Sequence, residues 1–252
     1  MLMKKTATLI LLFTLFITNA QNILSALNYN EKYDVKESKP IDRIVKSVLF
    51  YNKNSTEEST EITYLNDNFR VLKEERFNSE GELKYSTQIT YKNDSIKIGR
   101  FTTTKIPLLG NQIEYTTYDL DAHNFLINIV KKNRRNQIFE TVHLENDDHG
   151  NPVFLKLNEG QFGYEKATYD YENNLVIVYY YNNNDEIITT NSSQINYSKD
   201  GTNNLEKTIT ISDMLLEYKY DKYGNWIKET RYQIAGKNKT KKAVFTRKIY
   251  YR

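Results

Sequence analysis

The stretch "YKYDKYGNWIKETRY", residues 218–232, decides the fold of this 252-residue chain. Aromatic and charged residues alternate up to Tyr220, a short polar segment interrupts them, and aromatic residues return at Trp226. Alternation with a period of two is typical of a β-strand that buries one face. Asp221 is suited to bind backbone amides ahead of it, and Gly224 accepts the left-handed conformation. The stretch therefore predicts a hairpin with a three-residue loop and a glycine bulge.

The same turn pattern recurs along the chain, as an aromatic residue, a turn former, two free positions, Gly and a polar residue. The close copies are "FNSEGE" (77–82), "YSKDGT" (197–202) and "NDDHGN" (146–151), in which Asn146 replaces the aromatic residue. In the looser copies "YLNDNF" (64–69) and "YNNNDE" (181–186), Asn68 and Asp185 take the place of Gly, since Asn and Asp tolerate positive φ. Such frequent reversals leave strands of about 5 to 10 residues. We therefore predict an all-β protein, an antiparallel meander of hairpin repeats that forms a curved or wrapped sheet.

Strand patterns cover most of the chain outside these turns. "LVIVYYY" (175–181) is nearly continuous in apolar residues and predicts a central strand with both faces covered. "EKTITIS" (206–212) and "AVFTRKIYYR" (243–252) alternate cleanly. Residues 40–50 show helical spacing but are rich in β-branched residues, so we favour a strand there. We expect a loose N-terminal arm over residues 21–39 and a single β-repeat domain over residues 40–252.

Residues 1–20 have the pattern of a secretory signal peptide. Lys4 and Lys5 precede about a dozen apolar residues, and Ala20 offers a small residue for cleavage. The chain contains no cysteine, which excludes lipid anchoring and disulfides. Net charge is +3, and removal of the two lysines leaves +1, so we expect no nucleic-acid partner. We predict an exported protein, periplasmic, cell-surface or extracellular, with no transmembrane segment once the signal peptide is removed.

The hairpin of residues 218–232 resembles the tyrosine-aspartate (YD) repeat of RHS-type bacterial surface and secreted proteins. The residues that carry the match are Tyr220, Asp221, Gly224, Asn225 and Trp226, with a partial second match at Asp147, Gly150 and Asn151. The chain is also similar to small exported proteins of Bacteroidota-like bacteria with degenerate YD repeats. The resemblance implies a β-rich, exported, non-catalytic repeat protein. Large family members enclose a toxin in a shell, and this chain is too short for that role.

Catalytic and metal-binding patterns are weak. No Gly-x-Ser-x-Gly pattern accompanies the histidines, and no pair of carboxylates is marked for glycoside hydrolysis. In "HLENDDHG" (143–150), His143, Glu145, Asp147 and His149 alternate as metal ligands on one strand face would. The repeat assigns residues 147–151 to a turn, which breaks that face. We therefore expect no enzyme activity, no metal and no cofactor.

The 21 tyrosines are the strongest indication of function. Tyrosine rows on a sheet offer amphipathic surface for carbohydrate or protein, and they also suit a sheet that packs on itself. We predict binding or scaffolding at the cell envelope, with a carbohydrate or cell-surface protein as partner. The candidate binding residues are Tyr218, Tyr220, Trp226 and Tyr232, and Trp226 is also expected to pack on Tyr220. The alternatives are a carbohydrate-active or other secreted hydrolase, and an accessory protein of a toxin or secretion system.

Overall fold

The computed structural model describes residues 22–51, 55–157, 163–194, 206–211, 213–236 and 238–252. These residues form one short helix and sixteen strands, and the strands pair in antiparallel fashion. The helix is α1 (Ile23–Leu27), and the strands are β1 (Ile41–Tyr51), β2 (Thr56–Leu65), β3 (Val71–Phe77), β4 (Leu83–Lys92), β5 (Ile96–Ile106), β6 (Gly110–Leu120), β7 (Leu126–Asn133), β8 (Ile138–Asn146), β9 (Pro152–Leu157), β10 (Tyr164–Asp170), β11 (Leu175–Tyr181), β12 (Ile187–Gln194), β13 (Glu206–Ile211), β14 (Met214–Tyr220), β15 (Trp226–Ala235) and β16 (Asn238–Tyr251). The prediction of an all-β antiparallel meander is confirmed, as is the strand predicted over residues 40–50.

The described residues divide into two compact units. The helix-bearing unit takes the described parts of residues 1–29, 119–129 and 140–196. The arm-bearing unit takes those of residues 30–118, 130–139 and 197–252.

The arm-bearing unit joins two runs of hairpins through its first and last strands. Strands β1 to β6 pair in succession, and so do β13 to β16. β1 pairs with β16, which places Ile44 opposite Ile249. The core beside this junction consists of Ile41, Ile44, Leu65 and Phe69, all buried.

The helix-bearing unit is a succession of hairpins with a helix on one face. Strands β8 to β12 pair in order along the chain. Helix α1 packs on β9 and β10, and the Ile23 N–H donates a 2.9 Å hydrogen bond to Glu165 Oε2. The buried side chains of this unit are Ile23, Ala26, Leu126, Ile129, Val142, Leu144, Leu155, Ala167, Val176 and Val178. Because side chains alternate along a strand, the face of β9 to β11 opposite these residues is the one that carries the exposed lysines of β9 and β10.

Seven turns of the described residues share one hydrogen-bond pattern. The N–H of the first residue, always Asp or Asn, donates to the fifth carbonyl, and the N–H of the fourth residue donates to the first carbonyl. The fourth residue has positive φ, as the glycine-bulge loop requires. The turns span residues 66–70, 78–82, 121–125, 133–137, 147–151, 182–186 and 221–225. The turn predictions at 77–82, 146–151, 181–186 and 220–225 are confirmed, and "YSKDGT" (197–202) lies outside the described residues.

One of the looser copies begins one residue later than predicted. Asn68 was expected at the positive-φ position, but Phe69 occupies it with φ of 58°. The reason is the Asn66 side chain, whose Oδ1 accepts hydrogen bonds from the N–H groups of Asn68 and Arg70 at 3.0 and 2.9 Å. The Asn66 side chain therefore determines where the turn begins, regardless of which residue occupies the fourth position.

Residues 30–39, predicted as part of a loose arm, make hydrogen bonds with turns of their own unit. The Tyr33 N–H donates to the Phe69 carbonyl at 2.8 Å. The Lys36 N–H donates to Asn225 Oδ1 at 2.6 Å, and Ser38 Oγ donates to the Tyr223 carbonyl at 3.1 Å. Among the described residues, no helix has the length and apolar character needed to cross a membrane.

Candidate functional site

Three of the four predicted binding residues lie together in the arm-bearing unit. Tyr220 and Trp226 are paired across β14 and β15. The ring centroid of Tyr218 is 6.2 Å from that of Tyr220 and 6.5 Å from that of Trp226, with an edge-on contact to the tryptophan. The three rings form an aromatic cluster on one face of the sheet.

Tyr232 does not belong to this cluster. It pairs with Leu215, three residues before Tyr218, so the two tyrosines lie on opposite faces. Lys239 Nζ lies 3.8 Å from its ring centroid. The pairing register shifts between Lys219 and Tyr220 at the bulge beside the turn, which is why counting every second residue from Trp226 fails.

One face of Trp226 is covered by Arg247 of β16. The guanidinium carbon lies 3.4 Å from the indole centroid, and the same group lies 5.3 Å from the Tyr33 ring. Arg247 also donates a 3.2 Å hydrogen bond to the Asp34 carbonyl, and burial lowers the pKa of its guanidinium. Such a cation–π contact contributes about 0.5 to 2 kcal/mol. Besides its pairing with Tyr220, Trp226 therefore has Tyr218 and Arg247 as packing partners.

Several polar groups beside the cluster interact with one another. Burial raises the pKa of Tyr218 to about 12, and the Glu229 carboxylate beside it acts in the same direction. Glu229 is buried and forms an ion pair with Arg231. Arg231 in turn lies 4.4 Å from the Phe245 ring centroid. The buried Glu229 carboxylate therefore has a partner within the protein, as buried polar groups usually do.

The turn beside the cluster is held by a tyrosine from the end of the chain. Asp221 Oδ1 accepts hydrogen bonds from the N–H groups of Tyr223 and Asn225 at 2.9 and 3.0 Å. Tyr251 donates its hydroxyl proton to Asp221 Oδ2, and Asn225 Nδ2 donates to the Tyr251 hydroxyl at 2.9 Å. We call this arrangement a tyrosine clamp.

A second tyrosine clamp occurs in the helix-bearing unit at the turn of residues 147–151. Tyr171 donates to Asp147 Oδ2, and Asn151 Nδ2 donates to the Tyr171 hydroxyl at 2.8 Å. His149 lies 4.4 Å from the Tyr171 ring, as Tyr223 lies 4.5 Å from the Tyr251 ring, centroid to centroid. The two turns that match the YD pattern in sequence thus share one side-chain arrangement.

A different group of aromatic residues lies on the solvent-facing side of β9 to β11. The ring centroids of Phe154 and Tyr164 are 5.5 Å apart, and those of Tyr164 and Tyr181 are 4.7 Å apart with planes within 10°. We call this surface the aromatic face, and its members are Phe154, Lys156, Tyr164, Lys166, Tyr179 and Tyr181. It lies opposite the face that α1 covers.

Lysines accompany the rings of the aromatic face. Lys156 and Lys166 are exposed. Lys166 Nζ lies 5.5 Å from the Tyr164 centroid and 5.7 Å from the Tyr181 centroid. The Tyr164 hydroxyl donates a 3.0 Å hydrogen bond to Asp185 Oδ1, and burial raises the pKa of this tyrosine.

Gly163 allows β10 to approach β11 closely at the start of this row. A Cβ at Gly163 would lie 1.8 Å from the Tyr181 carbonyl oxygen, and φ is +74°. Its N–H donates a 2.9 Å hydrogen bond to Asn183 Oδ1. The close approach brings the neighbouring Tyr164 into register with Tyr181.

The aromatic face was not predicted from the sequence, because the apolar run of β11 predicted a strand covered on both sides. Val176 and Val178 are indeed fully buried, but Ile177 and Tyr179 are only half-buried. The prediction was wrong because a strand with one solvent-facing side can also consist of an unbroken run of apolar and aromatic residues. The tyrosines among the last residues of β11 were the available signal, since tyrosine suits an amphipathic surface.

Comparison with known proteins yields similarities of low identity only. No family model and no curated protein matches the chain. Among solved structures, it is similar to a porin-like protein from Bacteroides uniformis, with a TM-score of 0.29, 10% identity, and coverage of 83% of this chain and 98% of that one. It is also similar to the Tc holotoxin pore of Photorhabdus luminescens, with a TM-score of 0.24, 12% identity, and coverage of 73% of this chain and 9% of that one.

Proposed function

We propose that the protein is an exported, non-catalytic carbohydrate-binding protein of the cell envelope, which holds a sugar chain on the aromatic face. The observation that carries this proposal is the row of Phe154, Tyr164 and Tyr181 across three adjacent strands. The row places apolar ring carbons beside lysine ammonium groups and tyrosine hydroxyls. Sugar rings offer apolar C–H surfaces and hydroxyl groups, so this mixture complements them.

The geometry favours the aromatic face over the site predicted around Trp226. Arg247 occupies a face of the indole ring, and the half-buried Tyr218 lies beside the buried Glu229 carboxylate. A ligand there would have to displace these contacts. On the aromatic face, the lysines are exposed, so a ligand can approach this surface from solvent. Carbohydrate recognition through pre-ordered tyrosines also has a low entropic cost.

The test is capture of glycans by the protein purified after export. A glycan array and a panel of insoluble polysaccharides would identify the ligand, and Tyr164→Leu and Lys166→Gln would then be compared with wild type. We expect both substitutions to weaken capture. Tyr115→Leu is the matched control. Tyr115 lies in the arm-bearing unit, is exposed, and has its ring 5.1 Å from that of Phe101 in the same unit.

Two outcomes would contradict the proposal. The first is that the folded protein captures no glycan. The second is that Tyr164→Leu captures glycan as well as Tyr115→Leu does, with equal thermal stability. Turnover of any captured glycan would contradict the non-catalytic part and support the hydrolase alternative.

A further inference from the structure

The hairpin between β5 and β6 exposes two leucines at its tip. Leu108 and Leu109 have relative exposures of 106% and 81%. The Leu109 N–H donates a 3.2 Å hydrogen bond to the Ile106 carbonyl, which closes a turn with Pro107 and Leu108 at its centre. Leu108 has φ of 69°, at the position where a turn with a preceding proline favours Gly or Asn. Leu108 therefore lies at a position that is unfavourable for its backbone conformation and that leaves its apolar side chain in solvent.

A second apolar tip belongs to the same unit. In the hairpin between β7 and β8, Ile138 and Phe139 are 59% and 44% exposed, directly after the turn of residues 133–137. Arg134 and Arg135 within that turn are exposed. Strands β5 to β8 are successive neighbours, so alternate hairpins turn at the same end of the strands. Two strand spacings separate the tips, which is about 10 Å.

The shape and charge of these tips favour a lipid surface over a folded protein. A specific protein interface usually needs about 800 Å² on each partner with close complementarity. Four apolar side chains on two narrow tips do not offer such an area, but insertion between lipids requires no complementary surface. Arg134 and Arg135 add positive charge beside the apolar groups of the second tip, whereas Lys105 at the base of the first tip forms an ion pair with Glu82 at 3.9 Å. Positive charge next to apolar side chains suits anionic headgroups.

We infer that the tips of the β5–β6 and β7–β8 hairpins form a membrane-contact surface, in which Leu108, Leu109, Ile138 and Phe139 enter the interface of a bilayer that contains anionic lipid. This inference is independent of the proposed carbohydrate site, which lies in the other unit. It gives a physical role to the strained Leu108. The arginines strengthen the contact by about fivefold each when the headgroups are anionic.

The test is flotation of the exported, purified protein with vesicles of phosphatidylcholine alone or with one quarter phosphatidylglycerol. The tip variant is Leu108→Asn/Leu109→Ser, because Asn accepts the positive φ and should leave the melting temperature unchanged or raised. The control is Leu72→Ser, which removes a leucine of the same unit that is 40% exposed near the start of β3, at the other end of the strands. The charge variant is Arg134→Gln/Arg135→Gln.

We expect wild type and the control to float with the mixed vesicles, and the tip variant to partition about tenfold less. The charge variant should lose most of its preference for phosphatidylglycerol. Wild-type protein that floats with neither vesicle would overturn the inference, and so would a tip variant that partitions like wild type. Recovery of a stable protein complex that depends on Leu108 and Leu109, without vesicle binding, would assign the tips to a protein partner instead.

Discussion

Tyr251 donates its hydroxyl proton to the Oδ2 atom of Asp221, which lies 30 positions earlier in the chain. The same hydroxyl accepts a 2.9 Å hydrogen bond from Asn225 Nδ2. One phenol therefore ties strand β16 to the turn between β14 and β15. Tyr171 does the same for Asp147 and Asn151 in the other unit. This relationship explains why Asp, Gly and Asn occur together in these two turns.

Loss of the clamp hydroxyl is expected to destabilise the arm-bearing unit. Tyr251→Phe keeps the ring but leaves Asp221 Oδ2 and Asn225 Nδ2 without this partner. The free energy of unfolding should fall by about 1 to 3 kcal/mol, measured by urea titration. Tyr250→Phe is the control, since it removes the hydroxyl of a neighbouring solvent-accessible tyrosine. Equal stabilities of the two variants would show that the clamp is not a stabilising contact.

Stability should decline in alkali through two half-buried tyrosines. Burial raises the pKa of Tyr91 and of Tyr218 from an ordinary value of 10 to about 12. A raised pKa in the folded state means that the unfolded chain loses its protons first. The stabilisation is complete below pH 10 and is lost as pH rises from 10 to 12. Urea titrations across this window, with tyrosinate absorbance as a second readout, check the prediction. Constant stability between these pH values, with all tyrosines titrating as in the urea-unfolded chain, would contradict it.

Two glycines with the same backbone conformation should respond differently to alanine. Gly81 has φ of +77° and a Cβ there would meet nothing within 4 Å. Gly81→Ala should therefore cost only the backbone strain, about 1 kcal/mol. In Gly163→Ala, the new Cβ would collide with the Tyr181 carbonyl oxygen, 1.8 Å away, so the pairing of β10 with β11 must shift. We expect a larger loss of melting temperature together with weaker glycan capture. Similar losses in both variants would show that the close approach is not needed.

The contact between Trp226 and Arg247 is expected to be structural. Trp226 is the only tryptophan, so its fluorescence reports on the surroundings of this one indole, which include Arg247. Arg247→Gln should shift the emission and lower the free energy of unfolding by about 1 to 2 kcal/mol. Glycan capture should remain at the wild-type level. The neighbouring Lys248→Gln serves as the control. Loss of capture in Arg247→Gln with unchanged stability would return the binding site to the Trp226 cluster.

The hairpins could be predicted from sequence because their determinants are local. Asp221 and Gly224 specify a turn within five residues, and alternation specifies the strands on either side. The turns at 121–125 and 133–137 were not predicted, because each lacks both the aromatic residue before the turn and the Gly within it, with Leu120 and Lys132 before the turns and Asn at the fourth position. Their first residues, Asp121 and Asn133, bind the N–H groups of the turn and could have revealed them.

The candidate site was harder to predict from the sequence because it depends on the register of the strand pairing. The bulge beside Tyr220 changes which residues share a face, and it separates Tyr232 from Tyr218. Arg247, which covers Trp226, is far away in sequence and reaches it only through the pairing of β15 with β16. The row of Phe154, Tyr164 and Tyr181 likewise arises from the pairing of three strands. Periodicity within a single strand contains no information about such cross-strand contacts.

The carbohydrate site is tested by the dissociation constant for the captured glycan, measured on two matched double variants. Tyr164→Leu/Lys166→Gln removes one tyrosine and one lysine from the aromatic face. Tyr115→Leu/Lys84→Gln removes the same residue types from the other unit. If the aromatic face holds the glycan, binding should be at least about tenfold weaker for the first variant and should change by less than about twofold for the second. Equal binding by the two variants, with both folded, would contradict the assignment of the aromatic face as the carbohydrate site.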